Sequence, residues 1–200
     1  MINKVKLIQK FLISSKNKFL LITNNDLHLN ESPNLNQKDI YNITGFDCSF
    51  GFLLILSEQI IFFTDSRYTL AATKFFPKKV EIYDIRKQSL CDFLINLGSN
   101  FNGLVDTRLI SSKQFIDFNK ILSKAKIKIL PLKNVIYSKE YFPCFDRSYA
   151  FSLPKNYTPR NYEKNILWVK KRIKSEGLLI WNNSHIAYIL NIRSFELDNS

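Results

Sequence analysis

The sequence predicts an α/β fold, a mixed β-sheet flanked by helices, followed by an incomplete second α/β domain. Three observations carry the prediction. Short buried apolar runs alternate with amphipathic helical patterns from Val5 to Leu132, the alternation of a layered α/β domain. Two of those runs, Phe52 to Leu56 and Ile60 to Phe63, are separated only by Ser57, Glu58 and Gln59, which reads as a β-hairpin and places an antiparallel pair in the sheet. Beyond Tyr137 the periodicity lapses, and the remainder offers one helix, one strand and one further helical turn, too few elements to close a core.

The elements follow in order. Val5, Leu7, Ile8, Leu12 and Ile13 keep helical spacing with lysines between them, giving an amphipathic opening helix. Phe19 to Thr23 is a continuous apolar run that ends in Asn24-Asn25-Asp26, a buried strand delivering a polar loop that carries His28 and Glu31. Ser32-Pro33-Asn34 breaks the chain, and Gln37 to Ile43 forms a short helix. Gly45 and Gly51 bracket the approach to the hairpin, where positive φ or close packing is expected. Thr64-Asp65-Ser66-Arg67-Tyr68 closes the second hairpin strand, and Tyr68, Leu70, Ala71, Ala72, Phe75 and Phe76 then form a helical face that Pro77 ends.

Val80 to Ile85 reads as a strand, Leu90 to Leu97 as a helix, and Asn102 to Val105 as a strand ending in Asp106. A serine cap opens the helix from Ser111 to Leu122, and Ile127, Ile129 and Leu130 make the next strand. These elements define a first domain over residues 1–136. Prolines at 143, 154 and 159 mark a connection over residues 137–159. In residues 160–200, a basic helix from Tyr162 to Lys174, a strand from Gly177 to Trp181 and a short helix from Ile186 to Leu190 open a second, similar domain that is truncated.

Composition narrows the class. Hydrophobic residues form 46% and aromatics 14% of the 200, enough for a packed core and too many for a disordered chain. The net charge of +12 divides as +3 over residues 1–100 and +9 over residues 101–200, spread across separate elements. Lysines outnumber arginines 22 to 7, which argues against nucleic-acid recognition, where guanidinium forks read bases. Cys48, Cys91 and Cys144 are odd in number and widely spaced, fitting neither a disulfide framework nor a zinc site and pointing to a reducing, cytoplasmic setting. Phe11-Leu12-Ile13 is too short for a signal-peptide apolar region, and no stretch reaches transmembrane length, so no membrane partner is expected.

Catalytic chemistry is not expected within these residues. His28 and His185 lie far apart and form no His-x-x-x-His pair, no Gly-x-Ser-x-Gly occurs, and five glycines in all leave no phosphate loop. Cys48 lacks a context that would lower its pKa and reads as a packed thiol. The best candidate site is the polar set Asp26, His28, Glu31, Asp65, Arg67 and Tyr68, at the ends of strands expected to be neighbours at Thr23 and Thr64. It is either a ligand-facing edge or a structural ion-pair cluster in which Arg67 fixes Asp65 or Glu31.

The ordered motifs Asp26-Leu27-His28-Leu29-Asn30-Glu31, Gly45-Phe46-Asp47-Cys48-Ser49-Phe50-Gly51 and Thr64-Asp65-Ser66-Arg67-Tyr68 resemble the N-terminal, creatinase-like domain of Xaa-Pro aminopeptidase, or aminopeptidase P. Gly103-Leu104-Val105-Asp106, the strand end at Ile129-Leu130-Pro131-Leu132 and Asp146-Arg147 are similar to further short motifs of that family, and Ile186 to Arg193 resembles part of its second domain. The chain departs from the pattern at Cys48 and Phe50, where small residues are usual, at Ser66 and Ser194, which replace glycines, and at Tyr188, which replaces a tryptophan.

The resemblance implies a whole enzyme that removes the residue preceding proline from peptide N-termini. Its dinuclear manganese centre would be held by Asp, His and Glu ligands of a C-terminal pita-bread domain that has no counterpart in this sequence. The chain would then be the non-catalytic N-terminal portion, binding no metal itself and contributing to assembly and to the active-site mouth. Glu31 and Arg67 would shape access of the peptide's N-terminal end, supported by Asp26, His28, Asp65 and Tyr68. Its implied partners are the catalytic domain, in cis or in trans, and a second copy in a homodimer, with peptide substrate bound only in the whole enzyme. The alternative reading is a stand-alone basic interaction module, motivated by Lys170-Lys171-Arg172 and Lys174.

Overall fold

The computed structural model describes residues 2–27, 29–30, 33, 35–132, 149–158 and 161–194. The chain divides into two compact units, Met1–Tyr141 and Phe142–Ser200. The first holds a six-stranded sheet built from β1 (Phe19–Thr23), β2 (Phe52–Leu56), β3 (Ile60–Thr64), β4 (Val80–Asp84), β5 (Asn102–Val105) and β6 (Lys128–Pro131), in the order β4-β3-β2-β1-β5-β6. β2 runs antiparallel to both of its neighbours, and the β3–β4, β1–β5 and β5–β6 pairs are parallel. Five strands therefore point the same way and end along one edge of a mixed sheet.

Every residue of β1, β2 and β3 is buried, because helices cover both faces and the side-chain period of two supplies each. One face carries Leu20, Ile22, Leu53, Ile55, Ile60 and Phe62. It packs against Val5, Ile8 and Leu12 of α1 (Ile2–Ser15), Ile40 and Ile43 of α2 (Asp39–Thr44) and Ala72 of α3 (Ser66–Phe75). The other face carries Phe19, Leu21, Phe52, Leu54, Ile61 and Phe63 against Leu90 and Leu94 of α4 (Leu90–Asn96) and Leu122 of α5 (Ser112–Leu122). Each such aliphatic or aromatic side chain contributes roughly 1.5–3 kcal/mol by leaving water.

Both glycines flanking the hairpin have a steric reason. Gly45 ends α2 at φ 79°, and its N–H donates to the Tyr41 carbonyl at 2.7 Å. A Cβ at Gly51 would fall 2.7 Å from the Phe62 ring. Ser111 caps α5 by accepting from the Gln114 N–H at 3.2 Å.

Two expectations for this unit are corrected. The strands ending at Thr23 and Thr64 are not neighbours, because β2 pairs with both and lies between them. The apolar face expected on α3 is only partly covered: Ala72 and Phe76 are buried, but Leu70 is 67% and Phe75 50% exposed, because Leu70 lies two positions, about 200° of helical turn, from Ala72 and faces away from the sheet.

The outer edge of β6 is closed by a side chain. The Ile129 N–H donates to Asn119 Oδ1 at 2.8 Å, and Asn119 Nδ2 donates to the Ile129 carbonyl at 3.2 Å, so the carboxamide takes the place of another strand's peptide group. The next outward position is Pro131, which has no N–H.

In the second unit, β7 (Phe151–Ser152) pairs antiparallel with β8 (Ile192–Arg193), α6 (Tyr162–Lys170) packs on α7 (Asn183–Leu190), and Asn165 Nδ2 donates to the Tyr188 carbonyl at 3.0 Å. β7 falls within the segment expected to be an irregular connection. The basic helix expected to reach Lys174 stops at Lys170, where Lys170 and Lys174 would repel at i,i+4 spacing, and the Arg172 guanidinium folds back 4.0 Å over the Trp168 ring. The strand expected over Gly177–Trp181 is absent, since nothing among the described residues pairs with it, and Leu178, Leu179 and Trp181 are exposed. None of the described helices is long and apolar enough to cross a membrane.

Replacing Asn119 by Ala leaves both outward backbone groups of Ile129 without a protein partner. The expected cost is about 1–3 kcal/mol of stability, read from the urea midpoint, with more aggregation on heating as the β6 edge opens. An unchanged midpoint and heat tolerance would contradict the edge-closing role.

Candidate functional site

The candidate edge is built from the strand ends upward. Where β3, β4 and β5 leave the sheet the chain repeats Asp-x-Arg, as Asp65-Ser66-Arg67, Asp84-Ile85-Arg86 and Asp106-Thr107-Arg108. In each, the aspartate accepts the arginine's own backbone N–H, at 2.9, 3.0 and 3.0 Å respectively, closing an Asx turn. It also accepts from Nε to Oδ1 at 3.1, 3.1 and 3.0 Å and from Nη2 to Oδ2 at 2.7, 2.8 and 2.7 Å, a bidentate fork. The arginine side chains are 58%, 65% and 60% exposed in chain order, so three guanidinium groups stand at the sheet edge with their orientation set from within the turn.

These contacts shift the carboxylates in a direction with a clear cause. The hydrogen bond from Arg67 lowers the pKa of Asp65, and the bond from Arg86 lowers that of Asp84 to about 2. The first two pairs also sense each other, because Arg86 further favours ionised Asp65. Asp65 has a second role as the N-cap of α3, and Asp106 caps the 3₁₀ turn Thr107–Leu109.

Around the arginines the edge is knitted by buried and half-buried polar groups. Thr23 Oγ1 and Asn25 Nδ2 both donate to the Leu109 carbonyl, at 2.8 and 2.9 Å, Thr64 Oγ1 donates to the Phe50 carbonyl at 2.8 Å, and Asn24 Nδ2 donates to the Cys48 carbonyl. Asp26, 3% exposed, accepts from the Asn30 N–H at 2.9 Å and from Asn30 Nδ2 at 2.8 Å, which holds the loop after β1. Tyr68 OH donates to Ser49 Oγ at 3.0 Å, and the Arg67 guanidinium lies 5.4 Å from the Tyr68 ring centre. Burial pushes the Cys48 thiol up to about 12, so it is neutral at ordinary pH and no nucleophile.

The structure thus brings Asp65, Arg67 and Tyr68 together. Asp26 sits on the same edge beyond the start of β2, tied into its own loop. His28, Glu31 and the Asp146-Arg147 motif lie outside the described residues. Sequence reading missed Asp84, Arg86 and Arg108, although the Asp-x-Arg spacing at three strand ends was there to find. Among the described residues, no group of three or more His, Cys, Asp or Glu could hold a metal ion. Asp65, Asp84 and Asp106 are each committed to a guanidinium and Asp26 to Asn30, so these residues do not fit a dinuclear centre.

Comparison with known proteins adds sequence and fold likeness. The family profile of the creatinase/prolidase N-terminal domain matches residues 4–138. Over 170 residues, 78% of this chain, it is 26% identical to the probable Xaa-Pro aminopeptidase P of Laccaria bicolor. Over 211 aligned positions, covering 97% of this chain, it is 21% identical to Xaa-Pro aminopeptidase 1 of Dictyostelium discoideum. It spans 26% of the first relative's length and 34% of the second's. The fold is similar to that of the X-prolyl aminopeptidase of Caenorhabditis elegans, described as a cytosolic enzyme with a di-nuclear active site, at a TM-score of 0.79 and 15% identity over 98% of this chain and 35% of that one. A Streptococcus pyogenes XXA-pro aminopeptidase structure matches at a TM-score of 0.50 and 18% identity over 64% of this chain and 90% of that one.

The geometry sets an order of energetic importance. Arg67→Ala removes an exposed pair and should cost about 0–1 kcal/mol, whereas Asp65→Ala also removes a helix cap and should cost about 0.5–2 kcal/mol, both measured by urea unfolding. Asp65 and Asp84 titrate below the usual 3.8 in the folded chain, so the unfolded chain binds their protons first. Their stabilisation is present above pH 3.8 and is lost as pH falls below it, for Asp84 through about 2, a dependence that Asp84→Asn should flatten.

Proposed function

The chain belongs to the creatinase/prolidase N-terminal domain family, and from that membership we propose that it is the non-catalytic N-terminal portion of an Xaa-Pro aminopeptidase. The observation that carries the proposal is the match of 97% of this chain to a protein named Xaa-Pro aminopeptidase 1, of which it spans 34%. In this reading the chain comprises a first domain over residues 1–136, a connection over residues 137–159 and the opening of a second domain over residues 160–200. The whole enzyme works in the cytoplasm, hydrolyses the bond before proline at peptide N-termini and can assemble as a dimer.

Metal chemistry belongs in this reading to a catalytic pita-bread domain, supplied in cis or in trans. The part played by this chain is to assemble with that domain and to shape the mouth through which a peptide enters. Arg67 suits the task because its fork with Asp65 fixes the guanidinium while leaving it 58% exposed to meet a peptide. Glu31 is the proposed companion, with Asp26, His28, Asp65 and Tyr68 in support.

The purified chain should therefore show no turnover of Xaa-Pro peptides with added manganese. Supplying the catalytic portion of an Xaa-Pro aminopeptidase should restore turnover, and Arg67→Ala should then lower kcat/KM while the urea midpoint of the chain moves little. Manganese-dependent turnover that copurifies with the chain alone would overturn the non-catalytic reading.

Limited proteolysis tests the domain layout separately. It should leave a resistant fragment ending near residue 136, and a single resistant species that keeps Ser200 would show the second part to be complete in itself.

A further inference from the structure

The two edges of the six-stranded sheet differ in what they leave to be paired. On β6 the outward positions are Ile129, held by the Asn119 carboxamide, and Pro131, which has no N–H to offer. On β4 the Ile85 N–H donates to the Thr64 carbonyl at 2.9 Å, and peptide groups alternate along a strand. Glu81 and Tyr83 therefore turn their backbone groups toward β3, while Val80, Ile82 and Asp84 turn theirs outward. The Val80 N–H is taken by the Pro77 carbonyl at 2.9 Å, and the Asp84 carbonyl accepts from the Lys87 and Gln88 N–H groups at 2.8 and 3.0 Å. That leaves the Val80 carbonyl, the Ile82 N–H and carbonyl and the Asp84 N–H without a protein partner among the described residues. These groups are spaced as one added strand requires.

The side chains along β4 would extend both layers onto such a strand. Ile82 is half-buried against the core that holds α1 and α3. Tyr83 stacks on Phe63 at 5.5 Å and meets Phe93 at 5.6 Å on the other face.

Charge selects the occupant. Exposed Lys78 and Lys79 lie at one end of β4, and exposed Arg86 and Lys87 at the other. The Asp84–Arg86 pair leaves Lys87 as the uncompensated charge at the second end, and Glu81 accepts from the Tyr83 hydroxyl. A second copy of this chain paired antiparallel on this edge would bring the turn bearing Lys78 and Lys79 of one copy beside the turn bearing Arg86 and Lys87 of the other at both ends, and like charges brought together are destabilising. An acidic strand faces no such penalty.

We propose that the outer edge of β4 is a docking site for an extended segment of a partner protein, acidic at both ends and alternating apolar and polar between them, added to the sheet as a further strand. The inference does not depend on the aminopeptidase reading.

The test uses the full chain and a short synthetic peptide of alternating valine and threonine flanked by aspartate and glutamate, beside the same peptide flanked by lysine. Hydrogen exchange followed by NMR should slow by about tenfold or more at the Ile82 and Asp84 amides on saturation with the acidic peptide, while the Tyr83 amide, already bonded within the sheet, changes little. Lys78→Glu combined with Lys79→Glu should weaken binding by about tenfold with the circular dichroism spectrum unchanged. Ile82→Pro, which removes an outward donor and leaves the β3 ladder intact, should abolish binding. Should the proline variant unfold, the lysine reversals decide alone. The proposal is overturned by no binding of the acidic peptide, by binding that leaves the Ile82 and Asp84 amides unprotected, or by equal affinity for the lysine-flanked peptide. Protection of those amides that rises with protein concentration in the absence of peptide would assign the edge to a second copy and likewise overturn it.

Discussion

The pairing of β2 with both β1 and β3 is the constraint on which the rest of the first unit depends. Because β2 runs against both neighbours, β1 and β3 run parallel to each other, and the parallel additions of β4, β5 and β6 then bring five strand ends to one edge. All residues of the three central strands are buried, so the register is held from both faces. A slip of one residue would exchange the set that meets α1, α2 and α3 for the set that meets α4 and α5, and neither layer would fill its volume.

That common edge converts a local habit of the chain into a surface. Asp-x-Arg is a two-residue closure in which an aspartate satisfies a backbone donor and clasps the side chain of the same residue. One occurrence is a turn. Three at the ends of parallel strands set arginines along a single rim, two of them on the adjacent strands β3 and β4 and close enough for Arg86 to act on Asp65. The rim is held together chiefly by groups that carry no charge: Thr23 and Asn25 join the end of β1 to the turn after β5, and Thr64 joins the end of β3 to the segment before β2. Exposed ion pairs add little stability, so the fold does not depend on these arginines.

The sheet treats its two borders differently by the same physics. Each border of an open sheet presents peptide groups that water or another strand must satisfy. At β6 one carboxamide and one proline remove the opportunity, whereas at β4 the flanking turns take only the Val80 N–H and the Asp84 carbonyl, and charge stands at the strand's ends. The second unit is unlike either border. Its described residues bury few apolar side chains, with Leu179 at 80% and Trp181 at 68% exposure.

What the sequence determined by itself was local. The limits of β1 and β2 follow from continuous apolar runs, the cap at Ser111 from a serine ahead of a helical pattern, and the needs of Gly45 and Gly51 from their places beside a helix end and a buried strand. The family was legible in several short motifs taken in order, from Asp26 to Arg193, and the i,i+2 contact between Asp65 and Arg67 needs only a turn. Tertiary structure alone decided the strand order, with β2 between β1 and β3, and with it the separation of Asp26 from Arg67. It likewise decided which side of α3 meets the sheet, that Asn119 reaches Ile129 to close one border, and that Gly177–Trp181 pairs with no strand among the described residues. Periodicity, capping and short-range hydrogen bonds are written in neighbouring residues. Which strand lies beside which, and which apolar face is covered, depends on contacts between residues far apart in the chain, where many pairings satisfy the same local pattern and only the packed whole selects one.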